Sequence, residues 1–171
     1  MSDFTDKTVI ITGAAMGLGL AAAEELASRG ANLALVDYNQ DALNKAKDEL
    51  SGKYPDAKFL TVMADVSNEE AVKGYVNATV KEFGKIDGFY NNAGIEGKQA
   101  PLTEYDVNVF KKVVDINLMG VYYGLRYVIP VMQKNGGGRI VNVASVGGIR
   151  GVLNQTPYVA TKHAVAGMSK N

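Results

Sequence analysis

Tyr158-Val-Ala-Thr-Lys162 sets a phenol and an amine four residues apart, with the hydroxyl of Ser145 thirteen residues upstream of the tyrosine. On a helix, positions i and i+4 share a face. The Lys162 ammonium would then lie beside the Tyr158 phenol and favour its ionised form. At ~5 Å and an effective dielectric of about 20 that attraction is roughly 3 kcal/mol. Such a phenol is suited to general acid/base work near neutral pH. It could give a proton to a reacting oxygen, or take one from it. Ser145 would hydrogen-bond the reacting oxygen and hold it near the phenol. Tyr-x-x-x-Lys alone is also a common surface pair, so the chemistry depends on what the rest of the chain builds around it.

At the other end of the chain, Lys7–Thr12 is a short β-branched run, the pattern of a buried parallel strand. It leads into Gly13-Ala-Ala-Met-Gly17-Leu18-Gly19, and then into Leu20–Arg29, which is rich in helix formers and stopped by Gly30. Strand, glycine turn and helix together form a phosphate site. Backbone N–H groups at the helix start face an anion, and the missing side chains let it approach. Gly13, Gly17 and Gly19 would take a diphosphate, with Leu18 donating its backbone N–H. A second strand, Ala31–Val36, ends at Asp37. A carboxylate about 20 residues past such a turn binds the ribose hydroxyls of NAD and repels the 2′-phosphate of NADP. Neither Met16 nor Tyr38 supplies a cation to offset that repulsion. The alternative is a tight structural turn with a solvated aspartate at the strand end.

The elements that must position these groups alternate. A helix is expected over Gln40–Leu50 and a third strand over Lys58–Met63, followed by Ala64, Asp65 and Val66. Ser67 and Glu70 form a capping box for a helix running to about Phe83. A fourth strand runs through Tyr90 to Asn91. Asn92, Ala93 and Gly94 follow at its end, where ligands bind in open α/β sheets. The Asn92 amide also has a structural reading, satisfying backbone groups of neighbouring strands. A long helix is expected over Tyr105–Gln133, bent near Gly120, Gly124 or Pro130. A fifth strand spans Arg139–Ala144, and a last helix begins near Tyr158. This alternation means a parallel sheet with helices on both faces.

Gly13-x-x-x-Gly17-x-Gly19, Asn91-Asn92-Ala93-Gly94, Asn117, Ser145 and Tyr158-x-x-x-Lys162, in this order and spacing, resemble the classical short-chain dehydrogenases/reductases. The resemblance runs from Lys7 to Asn171. It implies a Rossmann-like, doubly wound α/β sheet of strand order 3-2-1-4-5. It implies NAD as cofactor and a small-molecule substrate, a ketone or secondary alcohol. In such proteins Lys162 would also bind the nicotinamide ribose, and Asn117 would steady a water linking the lysine to solvent. Asp65 would meet the adenine amino group, with Val66 beside the ring. Val146–Gln155 would line the substrate pocket, with Ile95-Glu96-Gly97 on the opposite wall. These are mostly small or apolar residues, and suit a small or cyclic substrate. Homo-oligomers, tetramers or dimers, are implied as well. Two rival readings are a non-catalytic dinucleotide-binding module and a nucleotide-sugar epimerase or dehydratase, whose glycine spacing usually differs.

Size and composition set the outer limits. One domain is expected over residues 1–171, burying roughly 70% of its unfolded surface. Lys+Arg and Asp+Glu both number 18, with no basic block for nucleic acid. Without cysteine there is no disulfide frame and no thiol chemistry. The start, Met-Ser-Asp-Phe-Thr-Asp-Lys, lacks the apolar stretch of a signal peptide, and no run is long enough to span a membrane. A cytoplasmic protein is the expectation. No cluster has metal-ligand spacing. His163, Lys111, Lys112 and the tyrosines at 122, 123 and 127 read as surface or packing residues. Family members continue past Asn171, so the chain is expected to break off within its last helix, before the family's final strands. Its fifth strand would then be an exposed edge, and poor solubility would follow unless a partner covers it.

Overall fold

The computed structural model describes residues 3–170. Its centre is set by two apolar strands. Thr8–Thr12 (β1) is wholly buried and Asn32–Asp37 (β2) nearly so, as strands covered on both faces must be. Phe59–Met63 (β3), Gly88–Asn91 (β4) and Arg139–Asn142 (β5) complete one parallel sheet in the order β3-β2-β1-β4-β5. This is the expected order. β2 and β4 flank β1, so the chain reverses its direction of winding there and a crevice opens at the carboxyl ends of β1 and β4.

Side chains alternate across each strand and supply two cores. On one face, Ile11, Leu33 and Leu35 pack with Ala23 and Ala27 of α1 (Gly17–Ser28) and Leu43 and Leu50 of α2 (Gln40–Lys53). On the other, Ile10, Ala34 and Val36 pack with Val72 and Tyr75 of α3 (Glu69–Phe83) and Val128 and Met132 of α5 (Gly120–Lys134). Each fully buried Ile or Leu contributes roughly 1.5–3 kcal/mol. α5 continues from α4 (Val107–Val114) through a π-helical turn at Asp115–Met119, and α6 spans Thr156–Met168.

Several boundaries differ from expectation. α1 begins at Gly17 rather than Leu20, so two of the turn's glycines belong to its first turn. The cap of α3 is Asn68, whose side chain accepts from the Ala71 N–H at 3.1 Å. Ser67 instead donates its hydroxyl to Asp65, because the neighbouring Asn is an equally good cap. The long helix starts at Val107, where Asp106 accepts from the N–H groups of Asn108 and Val109; Tyr105 lies outside it. Gly120 and Gly124 let the helix approach the sheet. A Cβ at Gly120 would lie 2.9 Å from Val66 and one at Gly124 2.7 Å from Phe89. β5 stops at Asn142, and its exposed face includes Val141, 56% accessible. α6 starts at Thr156, with Pro157 in its first turn, where a missing N–H costs nothing. Its assigned span ends at Met168, with the Ser169 N–H bonded to the Val165 carbonyl; Asn171 lies outside the described residues.

Candidate active site

The glycine turn is closed by its own missing side chains. Gly13 and Gly17 hold φ of +66° and +56°, a region L-residues rarely occupy. A Cβ on Gly19 would lie 2.0 Å from the Gly13 carbonyl oxygen. α2, α3 and α4 are capped by the side chains of Asn39, Asn68 and Asp106, whereas Met16 offers α1 no such cap. No side chain caps the first N–H groups of α1, and the helix dipole favours an anion there. At the end of β2, buried Asp37 accepts from the N–H groups of Ala15 and Asn39, both at 3.1 Å. These bonds hold the carboxylate against the turn.

Thr12, which the sequence did not single out, joins β1 to the segment after β4. Its hydroxyl oxygen accepts from the N–H groups of Asn92 at 3.0 Å and Ala93 at 3.1 Å. The Asn92 side chain donates to the Thr12 carbonyl at 2.9 Å, so its structural role holds, and Asn92 also faces the cleft. A threonine ending a buried strand beside a glycine turn is the signal that would have found this link. Asn117 is fully buried in the π turn. Its amide is clamped to Ile95, accepting the Ile95 N–H at 2.8 Å and donating to the Ile95 carbonyl at 2.7 Å. Gly94 completes the group: a Cβ there would lie 3.1 Å from Asn117 Oδ1 and 3.6 Å from Lys162 Nζ.

The trio of Ser145, Tyr158 and Lys162 meets at one place. Ser145 follows β5 and accepts the Gly147 N–H at 3.1 Å. A Cβ on Gly147 would lie 3.4 Å from Tyr158 Cε1 and 3.7 Å from Ser145 Oγ, so the ring edge and the hydroxyl border the same spot. Lys162 is 4% exposed, and its Nζ stands 5.7 Å from the centre of the Tyr158 ring. The ammonium donates to the Val143 carbonyl at 2.7 Å. Burial in this setting lowers the Lys162 pKa from its ordinary value.

Two clefts meet here. One, of about 620 Å³, is lined by Ser145, Tyr158, Lys162, Glu96, Val152 and Gln155. The other, of about 460 Å³, holds Gly13, Asp37, Tyr38, Asp65, Val66 and Ala93. They share Leu18, Asn92, Gly94 and Ile95, so a ligand longer than either can cross from one to the other. Lys112, read from sequence as a solvated face, is exposed but also lines the second cleft. The expected lining of the substrate side is only partly correct. Val146, Val152 and Gln155 face the cleft, whereas Ile149 and Leu153 are 81% and 86% exposed. Among the described residues no group of three or more His, Cys, Asp or Glu side chains is placed to hold a metal. Nor is any described helix long and apolar enough to cross a membrane.

The strand order and the double cleft define a dinucleotide-binding class of protein, and the comparisons define it further. The chain belongs to the short chain dehydrogenase family, whose model matches residues 7–171. It is 52% identical over 168 residues to levodione reductase from Leifsonia aquatica, covering 98% of this chain and 63% of that protein. It is 40% identical over 171 residues to 2,5-dichloro-2,5-cyclohexadiene-1,4-diol dehydrogenase from Sphingobium indicum, covering 99% of this chain and 66% of that one. The solved structure of NAD+-bound xylitol dehydrogenase matches with a TM-score of 0.95 at 38% identity, over 98% of this chain and 64% of the other. The chain thus spans 63% of the length of the first of these relatives.

Proposed function

We propose that residues 1–171 are the dinucleotide-binding and catalytic portion of an NAD(H)-dependent oxidoreductase that interconverts a small or cyclic ketone and a secondary alcohol. The observation that carries this reading is the buried Lys162 ammonium beside the Tyr158 ring in the first cleft, next to Gly94, one of the residues that the two clefts share. The names of the relatives, a reductase of levodione and a dehydrogenase of a cyclic diol, support the substrate class.

Bound NAD(H) would supply or accept the hydride. The N–H groups at Gly17, Leu18 and Gly19 would hold its diphosphate, with Gly13 clearing the approach. Asp37 would take the adenine-side ribose, and Asp65 and Val66 the adenine. Ala93 and Gly94 would border the nicotinamide side, and Lys162 would bind the nicotinamide ribose. In the second cleft, two carboxylates, Asp37 and Asp65, stand against one ammonium, Lys112, which disfavours the extra phosphate of NADP. Ser145 would orient the substrate oxygen. Tyr158 would pass the proton to that oxygen or take it back, with the Lys162 charge stabilising the phenolate. Because the Asn117 side chain is committed to Ile95, a water serving Lys162 would be held by main-chain groups of the π turn. A homo-oligomer, dimer or tetramer, accords with the exposed Tyr122 and Ile129 on α5.

The decisive experiment is Tyr158→Phe, assayed with NADH and cyclic ketones. Turnover should fall by roughly 10²–10⁴-fold while NADH binding, followed by fluorescence, is retained. Comparable turnover in the variant would refute the assignment.

A further inference from the structure

Gln155 is the residue at the start of α6, yet its side chain does not cap that helix. It turns across the cleft and donates through Nε2 to the carboxylate of Glu96, on the loop after β4. The same two walls are tied a second time, by the Ala100 N–H bonded to the Asn154 carbonyl at 3.0 Å. Gln155 is buried, Glu96 is exposed, and both line the cleft that holds Ser145 and Tyr158. An ionised carboxylate only accepts, so the bond to Glu96 fixes which way the Gln155 amide faces. Gln155 Oε1 and the second Glu96 oxygen make no hydrogen bond to other described residues and remain available to the cleft. Against these acceptors stands a single remaining N–H of the amide.

We infer that the Glu96–Gln155 bridge is a specificity element that binds a second hydroxyl on the substrate, remote from the reacting carbon. The substrate class it selects is a cyclic diol, or its hydroxy-ketone product. Gln155 and Glu96 are both contacts, and Glu96 also positions the Gln155 amide. A hydroxyl donates to this acceptor-rich site, whereas an ether oxygen of similar size cannot, and would leave the second Glu96 oxygen and Gln155 Oε1 without a hydrogen bond from the substrate. The inference rests on the oxidoreductase reading above.

The test compares three alcohols with NAD+: cyclohexanol, 4-methoxycyclohexanol and cyclohexane-1,4-diol. The diol should exceed the methyl ether by roughly 10- to 100-fold in kcat/KM, most of it in KM, because the remote contact is made alike in ground and transition states. Gln155→Leu and, independently, Glu96→Ala should each bring that ratio toward one. The ratio is read within one sample, so a variant that folds poorly does not distort it. Equal use of diol and ether by the parent protein, or a ratio that survives in both variants, overturns the inference while leaving the oxidoreductase reading intact. No turnover of any of the three alcohols by the parent overturns both.

Discussion

Lys162 is the residue on which the electrostatics turn. A buried ammonium is costly unless bonded, and its protein partner is the Val143 carbonyl. Burial lowers its pKa from the ordinary 10.5. Below the folded-state value the lysine is charged in both states, and the folded protein bears the whole desolvation cost. As pH rises through that value toward 10.5 the cost is relieved, so this residue's contribution to stability grows with pH. The expected outcome for Lys162→Met follows. Compared with the parent in urea unfolding, the variant should stand relatively best at neutral pH and lose ground as the pH approaches 10.5. A difference in midpoint that does not move with pH would mean that burial does not shift this group. Turnover should be lost in the same variant, because the phenol loses its cationic neighbour.

Two elements hold the site open to a ligand. The π turn at Asp115–Met119 points the Asn117 amide at Ile95, which locks the segment after β4 in place. Asn117→Leu would strand both backbone groups of Ile95, and should cost about 2–4 kcal/mol, read as a lower unfolding midpoint. The glycine turn depends on contact rather than on bonding. Gly19→Ala sets a methyl 2.0 Å from the Gly13 carbonyl oxygen, so the turn must spread. At a typical overpacking cost of about 1–3 kcal/mol, NADH affinity should drop by roughly tenfold or more in a fluorescence titration. α1 begins without a side-chain cap, unlike α2, α3 and α4.

Across the molecule, the end of the sheet opposite the clefts is the structural end. Asp87 accepts the Thr8 N–H at 2.9 Å and meets Lys85 at 3.1 Å and Lys7 at 3.4 Å, pinning the start of β4 to β1. Burial works to raise the Asp87 pKa, but the Thr8 N–H and the two lysines outweigh it and the net shift is downward. A lowered carboxylate stabilises the fold above its unfolded value of 3.8, and that stability is lost as pH falls through the folded value. Asp87→Asn should therefore cost about 1 kcal/mol at neutral pH, with the gap to the parent closing as acid unfolding proceeds below 3.8. Circular dichroism across an acid titration of both proteins checks this. The two ends divide the work: a bonded, ion-paired base holds the strands in register, and the carboxyl ends are left with uncapped N–H groups and space.

Local signals determined the elements. β-branched runs, glycine punctuation and helix formers act within a few residues, so the alternation of strands and helices was readable from the chain alone, whereas the strand order in the sheet followed from the family resemblance. So were the glycine turn and the Tyr158–Lys162 pair. Boundaries slipped where two neighbouring residues are equally good caps, as with Ser67 and Asn68, or where glycines carry the first turn of a helix, as at Gly17. Tertiary structure alone decided the contacts between distant segments. Thr12 meets Asn92 and Ala93 across 80 and 81 positions, and Glu96 meets Gln155 across 59. The π turn that aims Asn117 has no pattern in its residue types, because it depends on what the helix packs against. A sequence carries each side chain's chemistry, but which groups lie within hydrogen-bonding distance is set by how the sheet brings its strand ends together.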